Sequence, residues 1–171
     1  HNMSRRNQIQ ALRERHITIG FARFLRAEPD LMVEPVLRET MRVAIREDHP
    51  LASRAAIRLA DLAGEPMILY PKLDVRGLGE ATVAAFRQED VPLIVAQEAD
   101  DALTAIALVA SGFGTCITPE SVARLRLPGV VYTPFESETL ASVEIQAVYR
   151  RDDLSGVLRE LLSVLREQAP R

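Results

Sequence analysis

The chain carries a single cysteine, Cys116, in 171 residues. One thiol cannot close an internal disulfide, so a small disulfide-stapled scaffold is excluded, and such sparing use of cysteine fits a reducing cytoplasm. No apolar run approaches the roughly 20 residues that a membrane-spanning helix needs. No charged n-region, apolar core and cleavage site opens the chain as an export signal would. Basic charge is not in excess either: 21 Lys and Arg against 24 Asp and Glu leave a net charge of −3. The chain as a whole therefore has no electrostatic footprint for wrapping a phosphate backbone. What is present is 47% hydrophobic and 26% charged residues, a composition that excludes disorder and collagen. It suffices for one substantial domain or two small lobes. The opening His1-Asn2-Met3 suits a piece cut from something longer.

Apolar periodicity then alternates between helix and strand along the chain. Residues 5–14 read as a helix through Ile9, Ala11 and Leu12, with Ser4 as N-cap because its hydroxyl can accept a first-turn amide hydrogen. Ile17, Ile19 and Phe21 alternate like a strand, and Leu31–Glu39 and Met41–Ile45 read as two extended runs near Thr40. His49–Ser53 is a turn-rich connector, and Leu59–Gly64 is one helical turn closed by glycine. Met67–Tyr70 is a buried strand stopped by Pro71. A helix over 78–89, a strand over 93–97 and a helix capped by Asp100 or Asp101 follow, the last ending at Ser111-Gly112. Strands are expected at Thr115–Thr118, Val130–Tyr132 and 143–149, with Thr133–Leu140 as a hinge or crossover. The final helix places Leu154, Val157, Leu158, Leu161, Leu162 and Leu165 on one stripe. Such alternation argues an α/β fold with a largely parallel sheet.

Catalytic and cofactor motifs are scarce. Gly77-Leu78-Gly79-Glu80-Ala81-Thr82 starts like a dinucleotide fingerprint but has threonine where the third glycine belongs. Gly112-Phe113-Gly114 reads as a helix C-cap and a tight entry into a strand. No serine sits in a nucleophile elbow, and Cys116, between Thr115 and Ile117, reads as a small buried hydrophobe. His1, His16 and His49 have neither helical i, i+4 spacing nor neighbouring cysteines, so no metal site is expected. His49 before Pro50 reads as a solvated loop histidine. The pairs Glu89-Asp90, Asp100-Asp101 and Asp152-Asp153 sit at helix ends, where capping accounts for them. The chain reads as a non-enzyme with no cofactor.

Features that bind remain. Tyr70, Pro71 and Lys72 end the central strand, and Arg76, Gly77 and Leu78 lead into a helix. The carboxyl end of a strand in an α/β sheet is a usual place for ligands. Free amides at a helix start, with a basic residue nearby, suit a carboxylate. Ser4 and Arg5 open another helix in the same manner. Arg23 follows an apolar strand, and Arg38-Glu39 interrupts an apolar extended stretch. Arginine tolerates partial burial when its fork is paired with a carboxylate, so Arg23, Arg38 and Glu39 are expected to form an ion-pair network joining two lobes.

Gln10-Ala11-Leu12-Arg13-Glu14-Arg15-His16-Ile17-Thr18-Ile19-Gly20-Phe21 resembles the helix and "ALxxGxIDxGF" strand of LysR-type transcriptional regulators. So do Leu37-Arg38-Glu39 with Val43-Ala44-Ile45 and His49-Pro50-Leu51-Ala52, and Leu59-Ala60-Asp61-Leu62 before Ile68-Leu69-Tyr70-Pro71. Ala107–Gly114, running into Ile117-Thr118-Pro119-Glu120-Ser121, resembles that family's "LVAxGxGxxxxP" segment.

The resemblance implies a type 2, periplasmic-binding-protein-like effector domain with an incomplete first lobe. Residues 1–41 and 142–171 would make partial lobe I, and 42–141 lobe II. The family's DNA-binding winged helix-turn-helix is absent from the chain, so DNA would be read only through that missing part. The implied ligand is a small-molecule carboxylate inducer held between the lobes, most like the muconates sensed by regulators of catechol, chlorocatechol and benzoate catabolism. Its implied contacts are Ser4, Arg5, Arg23, Tyr70, Pro71, Lys72, Arg76, Gly77 and Leu78. A homodimer or homotetramer through lobe I–lobe II contacts, with helix 78–89 and strand 93–97 as the surface, and a bacterial cytoplasmic location are also implied. A free-standing two-lobe solute-binding protein and a small α/β enzyme are the alternatives.

Overall fold

The computed structural model describes residues 3–26, 28–70 and 77–168. The chain divides into two compact units: His1–Arg38 with Glu144–Arg171, here unit 1, and Glu39–Val143, here unit 2. These differ by a few residues at each crossing from the lobes expected at 1–41 with 142–171 and 42–141.

Unit 1 begins with helix α1 (Arg5–Arg13), whose N-cap Ser4 accepts the Asn7 amide at 3.3 Å. Strand β1 (Ile19–Ala22) follows and pairs antiparallel with β8 (Ser142–Arg150), which lies beside the long strand β2 (Leu31–Arg46). The chain ends in helix α4 (Gly156–Gln168). Successive residues of a strand face opposite sides, and unit 1 uses both. Leu31 and Val148 pack with Leu12 of α1, whereas Met32 and Tyr149 pack with Leu158 and Leu162 of α4. Each such leucine buried contributes on the order of 1.5–3 kcal/mol.

The stripe expected on the last helix is split. Leu158 and Leu162 are buried and Leu165 packs beside them, but Leu154 is 81% and Val157 75% exposed, with Leu161 and Val164 exposed as well. At 100° per residue, 157, 161 and 164 lie on the flank of the arc that 158, 162 and 165 turn toward the strands.

In unit 2 the second half of β2 runs between β6 (Cys116–Pro119) and β7 (Val130–Glu136), antiparallel to both; Arg42 stands opposite Thr118 on one side and Pro134 on the other. Strand β3 (Ile57–Arg58) joins β7 in parallel. Strand β4 (Pro66–Leu69) pairs in parallel with β5 (Ile94–Glu98) and bridges to Thr115 through Met67. Helices α2 (Leu78–Gln88) and α3 (Ala102–Ala110) pack against β4. They bury Phe86, Ile106 and Val109, and the unit's core continues through Ile57, Leu59, Leu62, Met67 and Ile68.

The largely parallel sheet is therefore corrected: β1–β8, β2–β6 and β2–β7 are antiparallel. Periodicity reports which faces a strand buries and is silent on its direction. The two runs near Thr40 are one continuous strand, β2. The expected hinge at Thr133–Leu140 is also displaced, because Thr133–Glu136 extend β7 with Thr133 and Phe135 buried, and the chain returns to unit 1 after Val143.

Candidate functional site

The binding residues read from the sequence sit at the ends of elements. In unit 1, Ser4 caps α1 and Arg5 is its half-buried first residue. Helix α1 lacks acidic residues in its first turn, so its free amides face no carboxylate of their own turn. Arg23 is half-buried directly after β1.

In unit 2, Tyr70 follows β4 and is buried; its hydroxyl lies 2.5 Å from the Thr118 hydroxyl of β6. Gly77 is the N-cap of α2 and Leu78, buried, is its first residue. Glycine offers no side-chain cap to the first amides of α2, and the acidic residue in that first turn is Glu80. Pro71, Lys72 and Arg76, expected beside them, lie outside the described residues. Thr118 was missed by sequence reasoning. Its signal is a hydroxyl inside the apolar strand Cys116-Ile117-Thr118, where burial demands a partner.

The Arg38 part of the expected network is corrected. Arg38 is exposed and donates to Glu144 at 3.0 Å within unit 1, whereas Glu39 is buried and accepts the Ser121 amide at 3.2 Å within unit 2. Neighbours on an extended strand point to opposite faces, so one residue step separates a surface pair from a buried anchor. Glu120 adds to the same stretch by accepting from Thr40 at 2.5 Å and Arg42 at 3.0 Å. Those hydrogen bonds, Thr40 first, hold its carboxyl below the ordinary range.

Groups that could have carried catalysis are engaged structurally. Cys116 is fully buried, and burial pushes its thiol well up, away from the nucleophilic thiolate. Asp101 caps α3 by accepting the Thr104 amide at 2.9 Å, the contact that chiefly lowers its pKa. Asp153 accepts the Ser155 amide at 3.0 Å and the Arg150 guanidinium at 2.5 Å. Burial alone would raise the Glu89 carboxyl, but hydrogen bonds from Ser137 at 2.5 Å and Thr139 at 2.9 Å outweigh it and hold it low. Glu89 thus ends α2 and pins the 137–140 loop. His49 is half-buried rather than solvated: Nδ1 accepts the Leu51 amide at 3.2 Å and Nε2 faces Glu65 at 3.3 Å. A capping histidine fixes the turn before Pro50. His1 lies outside the described residues, among which no group of three or more metal-ligating side chains occurs. Nor is any helix among them long and apolar enough to cross a membrane.

The chain is 30% identical over 167 residues to the HTH-type transcriptional regulator CatR of Pseudomonas putida, covering 98% of this chain and 57% of that protein. It thus spans little more than half the length of this curated relative. Its fold matches the LysR family transcriptional regulator CbnR with a TM-score of 0.89 at 22% identity, over 99% of this chain and 58% of that one. It also matches the BenM effector binding domain solved with its effector benzoate, with a TM-score of 0.87 at 24% identity, over 98% of this chain and 76% of that one. The architecture is accordingly the α/β, type 2 periplasmic-binding-protein-like fold of LysR effector-binding domains. The relatives are transcriptional regulators, not enzymes. The family model described as LysR substrate binding domain matches residues 1–170, and the chain belongs to that family.

Proposed function

We propose that the chain senses a small carboxylate of aromatic catabolism, muconate-like in size and charge, and that this controls transcription of a catabolic operon. The family match over residues 1–170 is the observation that carries this reading; that benzoate is an effector of BenM supports the choice of ligand class. Ser4, Arg5 and Arg23 from unit 1 and Tyr70, Pro71, Lys72, Arg76, Gly77 and Leu78 from unit 2 are the proposed contacts. Helix-start amides of α1 and α2 that their caps leave free are suited to carboxylate oxygens, and Arg5 and Lys72 supply charge. Tyr70 spends its hydroxyl on Thr118, so it offers a ligand its ring. A bound effector shifts a conformational balance only through different affinity for the two states. The output reaches DNA through a helix-turn-helix in the full-length regulator, in the bacterial cytoplasm. Self-association to a homodimer or homotetramer is proposed through the α2 and β5 surface, where Ile94 and Val95 of β5 are exposed.

Isothermal titration with cis,cis-muconate and benzoate tests the ligand. Saturable heat and a raised melting temperature are expected, with about tenfold weaker binding in Arg5→Gln or Lys72→Gln, the loss typical of one charge-assisted contact. Absence of heat and of a melting shift with both acids would falsify the ligand assignment.

A further inference from the structure

Unit 1 also holds an open cavity of about 430 Å³, lined by Arg13, Arg15, Asp30, Arg150, Arg151 and Asp152. None of these is a proposed effector contact. Guanidinium groups from the end of α1, the following turn and the end of β8 meet two carboxylates there, and their engagement is uneven. Arg13 is committed to carboxylates through Nε and Nη2: it grips both oxygens of Asp30 at 2.7 and 3.0 Å and reaches Glu28 at 2.9 Å. Arg150, 11% exposed, gives Nη1 to the Leu12 and Ile17 carbonyls and Nη2 to Asp153. Its buried Nε has no hydrogen-bond partner and lies 3.6 Å from Asp152.

The remaining two arginines carry capacity. Arg151 donates Nε to the Pro29 carbonyl at 3.0 Å, and no carboxylate among the described residues lies in ion-pair range of it. Its outer nitrogens keep an uncompensated charge. Arg15 holds only Asp152, at 2.8 Å, and both side chains are about two-thirds exposed. Arg15 also occupies the left-handed position that ends α1, with φ 60°, where glycine would avoid a cost of roughly 1 kcal/mol. An arginine thus stands at a place that disfavours it.

We infer that this cavity binds the oxyanion of a small molecule, a carboxylate or a phosphate group, on Arg15 and Arg151, with Asp152 as the competing internal anion. A guanidinium fork matches either oxyanion in two parallel hydrogen bonds. Asp152, exposed and shared between Arg15 and Arg150, is the group that an incoming anion displaces, and the cavity has room for an organic body beyond the charged end.

Two variants should move in opposite directions. Amide chemical shifts of the 171-residue protein are followed while potassium phosphate or sodium acetate is added at constant ionic strength, with sodium chloride as control. Saturable shifts at residues 13–15, 29–30 and 150–153 are expected from at least one anion, and which one answers distinguishes the phosphate source from the carboxylate source. Arg151→Gln should weaken binding about tenfold, while Asp152→Asn, which removes the competitor, should tighten it several-fold. Shifts no larger than those from chloride overturn the inference. So does binding that is unchanged in Asp152→Asn, a variant that keeps the shape of the side chain and guards against a folding defect in the arginine variant.

Discussion

The largest fully buried side chains are shared unequally between the two units. Leu12 and Leu158 belong to unit 1, whereas Phe86, Met41, Val43, Ile45, Ile57, Leu59, Leu62, Met67, Ile68 and Ile106 all belong to unit 2. Surface side-chain pairs do not make up the difference, since both units have them: Arg13 with Glu28 and Asp30, Arg15 with Asp152, Arg38 with Glu144 and Arg166 with Glu34 in unit 1, and Arg42 with Glu120, Arg46 with Asp48 and Arg54 with Asp61 in unit 2. Exposed pairs of this kind contribute little each, and apolar burial is the dominant favourable term in folding. Unit 2 is thus expected to hold the higher local stability, and unit 1 to open first in native-state hydrogen exchange.

The strongest challenge to that contrast is Phe86→Ala. It empties a fully buried site in unit 2 and should cost about 3–5 kcal/mol in urea unfolding. Next comes a pair on one helix of unit 1. Leu158→Ala should cost about 2–4 kcal/mol, while Val157→Ser, one position away on the exposed flank, should stay within about 0.5 kcal/mol of the parent. Equal losses from the two would show that the outer flank of α4 is covered, and the contrast between the units would fail.

Tyr70→Phe sharpens the comparison from the other side. It leaves the fully buried Thr118 hydroxyl without its partner and should lower stability by about 1–2 kcal/mol, with the loss seen in exchange of unit 2 amides. The smallest effect is acid loosening of unit 1. Asp30 titrates below its ordinary value of 3.8, chiefly because Arg13 hydrogen-bonds the charged form. A lowered folded-state pKa means that this contribution is complete above about pH 4 to 5 and fades as pH falls through the native value. Arg13→Gln should remove that acid limb from unit 1 exchange rates without disturbing unit 2.

Local chemistry was the legible part of the sequence. Ser4, Asp101 and Gly112 announce helix ends because their caps depend on neighbours within a few residues, and each does that work in the structure. The ordered motifs from Gln10 to Ser121 likewise pointed to the family whose model matches residues 1–170. What depends on distant chain was not legible. Strand direction in the β2 neighbourhood is set by β6 and β7, some 70 to 90 residues away. The apolar arc of α4 told of burial but not of how wide a surface meets it. At the candidate site, Tyr70 was legible as the end of a strand, but its tie to Thr118 required knowing that β6 lies beside β4.

Cys116 has a practical corollary. Sealed inside β6, it should ignore maleimide dyes under native conditions, so a second cysteine installed at an exposed position such as Ser155 would be labelled alone. The protein is in that sense already prepared for single-site fluorescence: a dye beside the arginine cavity and another at the α2 end could report on the two proposed ligand sites in separate samples, with the native thiol left in place.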